Sequence, residues 1–386
     1  MSKVASIFDL ECLARERLPG VVFDYIHGGS EQQLTVQRNL DDMRALALRQ
    51  HSLRDVSRRD TSATMVGEPA RIPLALGPTG LAGLTWANGE CEAARAAVDF
   101  GVPFCLSTCS INSIEDVAEA IQRPFWFQLY LMKDHKVNES LMRRAHDAGC
   151  SALVLTIDLH TQGKRWADEK HGLAVPPRLT PSNIMQMVGH PRWLANMAGS
   201  KRHTFGNFEH EIKASGSIGS LSQWIEEQFD PSFDAGTVRW VRKTWQRKLI
   251  LKGVMSADDA QTAIDVGADA IIVSNHGGRQ LDSAPSSISV LPEIVDAVGG
   301  RIEVLFDGGI RTGGDIVKAI GLGAQACLSG RAWLYGLAAK GREGVTCALT
   351  LLEQELQDCM LLTGLSDLHR IDPGVVTAQP PLGRRG

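Results

Sequence analysis

The chain has no long apolar run. No stretch approaches the roughly 18 uninterrupted apolar residues of a spanning helix, so nothing reads as crossing a membrane. Its eight cysteines form no C-x-x-C pair and have no histidine-rich partners. That excludes a structural zinc site and points to reduced thiols in a cytoplasmic protein. Neither sign of charge dominates: the formal net charge is −4, without the basic face that broad nucleic-acid binding needs. Charges interrupt MSKVASIFDLECLARERLPG, so no signal peptide is expected there. Aromatic residues make up only 6%, with three tyrosines. What is present is an ordinary soluble composition, 44% hydrophobic and 22% charged over 386 residues. Such a length suits two average domains, or one α/β barrel with insertions.

One unit recurs. AVDFGVPFCLST, AHDAGCSALVLT, AIDVGADAIIVS and AIGLGAQACLSG each run from a helix end through glycine into an apolar strand. Glycine after a helix is a C-cap signal, and an apolar run without alternation suits a strand buried on both faces. Eight such strands are expected: IPLALG, PFCLS, FWFQLY, ALVLT, KLILK, AIIVS, EVLFD and ACLSG. Eight serial βα units predict a closed (β/α)₈ TIM barrel filling residues 1–386 as one domain, with an open doubly wound sheet as the alternative. The N-terminal segment to about Leu53 has helical spacing and no clear strand. It caps the barrel bottom or folds over its top.

Strands four and five lie too far apart for a single helix, which predicts an insertion at about 177–240 over the active-site face. Within NIMQMVGHPRWLANMAGSKRHTF, apolar residues mix with Arg192, Lys201 and Arg202. Such a segment either touches a membrane surface or packs as a lid on the barrel or a neighbouring subunit.

Barrel strands present their carboxyl-terminal residues at the catalytic face. Here these are Pro78-Thr79-Gly80, Ser107, Gln128 and Tyr130, Thr156 and Asp158, Lys252, Ser274 and His276, Asp307, and Gly330-Arg331. The loops LFDGGIRTGGD and LSGRAW follow strands seven and eight, where phosphate sites recur. Gly308, Gly309 and Gly330 let the backbone approach an anion, and Arg331 and Arg311 carry the charge to hold it. Asp307 would repel a phosphate and suits a ribose-type hydroxyl. Lys252 needs an anionic or polar acceptor: a loop carboxylate, a Schiff-base partner, or negative charge on a cofactor. In SNHGGRQLD, His276 can take a proton near neutral pH and Arg279 can fork onto a carboxylate. Asp158 or Asp282 can orient the imidazole; a salt-bridged turn is the plainer reading. Tyr25, in GVVFDYIHGGSE, reads on its own as a packed side chain.

DYIHGG, WFQLY, LTID, LKG, SNHGGRQLD, DGGIRTGGD and SGRAWLYGLA, in this order along the chain, resemble the FMN-dependent 2-hydroxy acid dehydrogenase and oxidase family. The resemblance implies FMN as cofactor and a TIM barrel. It also implies His276 as the base, Asp158 as its carboxylate partner, and Arg279 and Arg165 as the substrate-carboxylate clamp. Tyr25 and Tyr130 become active-site tyrosines, and Lys252 lies beside the flavin N1–O2 edge. Pro78, Thr79, Gly80, Ser107, Gln128, Thr156 and Ser274 fall at flavin-contacting positions. Asp307, Gly308, Gly309, Arg311, Gly330 and Arg331 fall at ribityl and phosphate positions. No metal is implied.

Gly80 looks like the dehydrogenase branch, since many oxidases carry alanine there. The insertion resembles that of bacterial respiratory L-lactate dehydrogenases, which pass electrons to membrane quinones. The expectation is therefore an L-2-hydroxy acid substrate, lactate before mandelate. A quinone acceptor, a tetramer, and a peripheral place on the inner face of the cell membrane complete it.

Overall fold

The computed structural model describes residues 4–171, 181–209 and 228–378. Eight short strands carry the fold: Leu74–Leu76 (β1), Cys105–Ser107 (β2), Trp126–Leu129 (β3), Ala152–Thr156 (β4), Lys248–Val254 (β5), Ala270–Val273 (β6), Glu303–Asp307 (β7) and Ala326–Ser329 (β8). They pair in parallel in chain order, and β8 returns to β1. A parallel bridge between Leu76 and Phe104 closes the ring. The chain is thus a TIM barrel, and the return of β8 to β1 removes the open-sheet alternative.

Local chemistry supports several of these units. Ser113 and Asp116 form a capping box ahead of helix Ile114–Ile121, and Thr312 and Asp315 form one ahead of helix Gly313–Gly321. Helix Gly89–Phe100 stops at Gly101, whose φ of +89° costs a glycine little.

Ala75, Cys105, Trp126, Ala152, Val154, Ile250, Ala270, Ile272, Leu305, Ala326 and Leu328 share a core cluster with Met65, Val66 and Ala70. The last three belong to a hairpin, Ala63–Met65 with Glu68–Ala70, which plugs the barrel's amino-terminal end. There the Trp126 indole donates to Glu68 (3.0 Å), and the Val66 amide donates to Glu303 (2.8 Å).

The N-terminal helices Ile7–Arg17, Gly20–His27 and Leu34–Ala45 lie over the opposite, carboxyl-terminal end. Arg279 and Arg331, from loops at that end, donate to the carbonyls of Tyr25, His27 and Gly28. A strand escaped the expectation for this segment: Leu46–Leu48 pairs antiparallel with Val376–Ala378. Three residues paired with the far end of the chain leave no local pattern.

The segment after β4 contains helices Trp166–His171, Pro181–Val188 and Pro191–Met197. Of the expected insertion at 177–240, residues 177–180 and 210–227 lie outside the described residues. Its last part is helix Ala235–Thr244, which buries Val238 and Val241 ahead of β5. Trp193 is buried and its indole donates to the Leu84 carbonyl (2.8 Å). Arg202 pairs with Asp116 and Glu209, and Lys201 reaches Asp116 at 2.7 Å. Asn207, fully buried, donates to the carbonyls of Ser107 and Thr108 at the end of β2. One side of the insertion is therefore bolted to the barrel, while Met185, Val188 and Leu194 stay exposed.

Candidate active site

Strand side chains alternate between faces, so the residue two beyond an inward apolar position also points into the barrel. That rule turns Cys105, Trp126, Val154, Ile250, Ile272 and Leu305 into Ser107, Gln128, Thr156, Lys252, Ser274 and Asp307. On β1 and β8 the same step gives Gly77 and Gly330. One end of the barrel is thus a polar ring with space left at the β8–β1 junction.

The ring is wired in two groups. Ser107 Oγ donates to Gln128 Oε1 (3.1 Å), whose Nε2 donates to Thr156 Oγ1 (3.0 Å). Lys252 Nζ, almost fully buried, donates to Ser274 Oγ (3.0 Å) and lies 3.3 Å from Asp307. Ser274 Oγ in turn donates to Asp307 (2.8 Å). Among the readings of Lys252, the carboxylate pairing is thus present.

Above the ring, His276 Nδ1 donates to Asp158 Oδ1 (2.9 Å), and the Tyr130 hydroxyl donates to His276 Nε2 (3.2 Å). Asp158, which only accepts, places the imidazole proton on Nδ1. Asp282, the other proposed orienter, instead accepts from the amides of Gln32 and Thr35, so it braces the N-terminal segment. The backbone of His276 sits at φ +59°, a conformation that side chains other than glycine rarely adopt.

Burial lowers the His276 pKa below its ordinary value, and Lys252 and Arg279 push it further down against the pull of Asp158. A neutral imidazole follows. Burial raises Asp158, but His276 and Lys252 outweigh it, and the carboxyl stays below its usual range. Burial holds the Tyr130 phenol well above its ordinary value, so it stays protonated.

The room for Asp158 comes from β5. Gly253 has φ +105° beside a register irregularity between Lys252 and Val254, and a Cβ on it would stand 2.6 Å from the Asp158 carboxyl carbon. Gly253→Ala should cost about 1–3 kcal/mol of stability through backbone strain. It should also lose more activity than that cost explains, because Asp158 is pushed off His276. Thermal melting beside turnover checks both; wild-type values in each would show that the bulge relaxes.

Arg279 Nη1 donates to the carbonyls of Tyr25 (2.7 Å) and Gly28 (2.8 Å), and its guanidinium lies 4.9 Å from the Tyr25 ring centre. Arg165 lies 5.6 Å from the same ring, with Asp168 at 3.5 Å. Burial lowers the Arg279 pKa, and Arg165 lowers it further. Across the cavity, burial pushes Arg331 down to about 9, with Arg279 and Arg311 adding repulsion. Arg331 spends Nε, Nη1 and Nη2 on the carbonyls of His27, Gly277 and Gly28. Arg311 donates to its neighbour Ile310. Crowded, desolvated guanidiniums of this kind are relieved by bound anions.

These side chains enclose a cavity of about 620 Å³, within the ~300–1,000 Å³ range of small-molecule and cofactor sites. Tyr25, Pro78, Thr79, Gly80, Tyr130, Thr156, Arg165, Lys252, His276 and Arg279 line it, as do Asp307, Gly308, Gly309, Arg311, Gly330 and Arg331. Of the other expected site residues, Asp158 and Ser274 lie behind the wall, bonded to His276 and Lys252. Gln128 bonds to Thr156 and Ser107 to Gln128. Sequence reasoning missed Cys109, Leu159, Phe205, Phe229 and Gln280, which also line the cavity. Only Gln280 had a local signal, inside SNHGGRQLD.

A family model described as FMN-dependent dehydrogenase matches residues 14–378. The chain belongs to this family. It is 42% identical to an L-lactate dehydrogenase of Caulobacter vibrioides, over 98% of this chain and 99% of that protein. An L-lactate dehydrogenase of Alcaligenes faecalis is 41% identical, over 98% of this chain and all of its own length. The crystal structure of the monotopic membrane protein (S)-mandelate dehydrogenase superposes with a TM-score of 0.92 at 38% identity, covering 98% of this chain and 100% of that one.

FMN is therefore the cofactor of this dehydrogenase, and the cavity can be tested against it. Thr79 Oγ1, in the inward register of Ala75 and Gly77, is buried without a hydrogen-bond partner among the described residues, and Thr79 lines the β8–β1 side. An unmet hydroxyl beside two guanidiniums and a Gly-Gly turn fits a polar ligand ending in phosphate. The residues present fit FMN.

Proposed function

We propose that the chain oxidises an L-2-hydroxy acid, L-lactate before others, to the 2-oxo acid. The observation that carries this reading is the placement of His276 between Asp158 and Tyr130, beside two guanidiniums on Tyr25. FMN, when bound, supplies a two-electron acceptor. Arg279 and Arg165 hold the substrate carboxylate. His276 Nε2, unprotonated in the tautomer that Asp158 selects, takes one of the two protons lost from the hydroxyl and the α-carbon, and the other would leave with the electron pair to FMN. Tyr130 and Tyr25 orient the substrate oxygen and carboxylate. Lys252, Ser274, Thr156, Gln128, Ser107 and Pro78-Thr79-Gly80 serve the isoalloxazine end. Asp307, Gly308, Gly309, Arg311, Gly330 and Arg331 serve the ribityl phosphate.

S-mandelate is the second reading. Gly80 and Cys109 leave space, Phe205 and Phe229 offer apolar surface, and Phe229 packs edge-on against Tyr130 at 6.0 Å. A Cβ at Gly80 would stand 2.9 Å from the Tyr25 hydroxyl, so alanine there would narrow this end.

The electron acceptor in this proposal is a membrane quinone. Exposed Met185, Val188 and Leu194 support peripheral lipid contact, and no described helix is long and apolar enough to cross a membrane. We read barrel and insertion as one domain, assembled as a homotetramer on the inner face of the cell membrane. The deciding experiment reduces the purified yellow protein anaerobically with L-lactate and with S-mandelate, then times reoxidation by oxygen and by a quinone. Faster bleaching by L-lactate and faster reoxidation by quinone are expected. A flavin that neither acid bleaches would end the proposal.

A further inference from the structure

We propose that Gln280 is a positioning residue that sets the spacing of the substrate clamp and the aim of the base. The inference rests on the roles proposed above for His276, Asp158, Arg165 and Arg279. Gln280 lies in the loop after β6, next to Arg279 and four residues after His276. Its side chain crosses to the loop after β4, which carries Asp158 and Arg165. Nε2 donates to the carbonyls of Asp158 (3.1 Å) and Thr161 (2.9 Å), and Oε1 accepts from the Gly163 amide (3.3 Å). One carboxamide thus uses both N–H groups and its oxygen on three main-chain groups of the facing loop.

The two backbones are already in contact at that point. A Cβ on Gly163 would stand 2.3 Å from the Arg279 carbonyl and 2.7 Å from that of Gln280. Gly163 is two residues from Arg165, so the contact held by Gln280 governs how far apart the two guanidiniums stand. The bond to the Asp158 carbonyl fixes the peptide whose side chain aims His276. Only a carboxamide has this mix of donors and acceptor at this length. Glutamate keeps the acceptor for Gly163 but sets a charge against two carbonyl oxygens. Methionine keeps the volume and loses all three bonds.

Gln280→Glu and Gln280→Met, made in the full-length FMN-loaded enzyme, test this. Each should retain FMN and its melting temperature, because the bonds join loops rather than core elements. Displacing a clamp by about an ångström can cost up to ~100-fold, so kcat/KM should fall roughly 10- to 100-fold, chiefly through KM. The Kd of pyruvate on the oxidised enzyme, read from flavin absorbance, should rise in parallel. In Gln280→Met the acidic limb of the kcat/KM profile should move to lower pH, since a loosened Asp158 holds less charge on His276, whereas the added carboxylate of Gln280→Glu opposes that shift. Unchanged pyruvate affinity and an unchanged acidic limb in folded Gln280→Met would overturn the proposal, whatever the added charge does in Gln280→Glu. A wild-type enzyme that no 2-hydroxy acid reduces would overturn the underlying function, which is a different result.

Discussion

His276→Ala is expected to slow flavin reduction by an L-2-hydroxy acid roughly 100- to 10,000-fold, the usual worth of a positioned general base. FMN should stay bound, because the residues proposed for its phosphate, Arg311 and Arg331, do not depend on the imidazole. The substitution also strands Asp158. Its carboxyl is held low by His276 and Lys252 against burial, so losing His276 lets burial raise it. No base of matched pKa takes over.

In the wild type, the folded His276 titrates below its ordinary value of about 6.5. The base form therefore predominates above that pH. Activity should fall only as pH drops through the depressed pKa, and the alanine variant should lose that acidic limb. Stopped-flow absorbance across pH measures both. Full reduction at the wild-type rate would remove His276 from the chemistry.

Much of this site was legible because barrel geometry is periodic. Once β3 to β7 were recognised as strands, their polar ends had to gather at one face, and Gln128, Thr156, Lys252, Ser274 and Asp307 did so. Pairings across the sequence were harder. On the residues alone Asp158 and Asp282 were equal candidates to orient His276, and only the family resemblance singled out Asp158. Asp158 is 118 residues from His276, and only the closed ring shows that β4 and β6 both flank β5. The Gly253 bulge was invisible because one glycine in KLILKG looks like any strand end. Gln280 was passed over for its charged neighbour, since an amide declares its role only through partners more than a hundred residues away. Phe205 and Phe229 belong to the insertion, whose ends reach the cavity through anchors at Asn207 and Met132. An aromatic residue in a long loop gives no hint of such a wall.

Arg279→Ala should be nearly as damaging as loss of the base, and in a different constant. Truncating one partner of a buried, hydrogen-bonded charge pair costs about 2–5 kcal/mol, so kcat/KM should drop ~30- to ~4,000-fold. The Arg279 guanidinium is fixed through Nη1 alone, while Nε and Nη2 make no hydrogen bond among the described residues. That leaves a two-donor edge, the geometry that carboxylates match bidentately. Arg279→Lys keeps the charge and loses the fork, so it should recover only part of the deficit.

The free enzyme sharpens the test. Arg279 and Arg165 repel each other over the Tyr25 ring, so Arg279→Ala relieves strain in the empty site while weakening the filled one. Loss of the bonds to the Tyr25 and Gly28 carbonyls offsets that relief, so the variant should melt somewhat lower on its own and, as the deciding readout, gain less thermal protection from pyruvate. Equal protection by pyruvate in Arg279→Ala and wild type would place the substrate carboxylate elsewhere in the cavity.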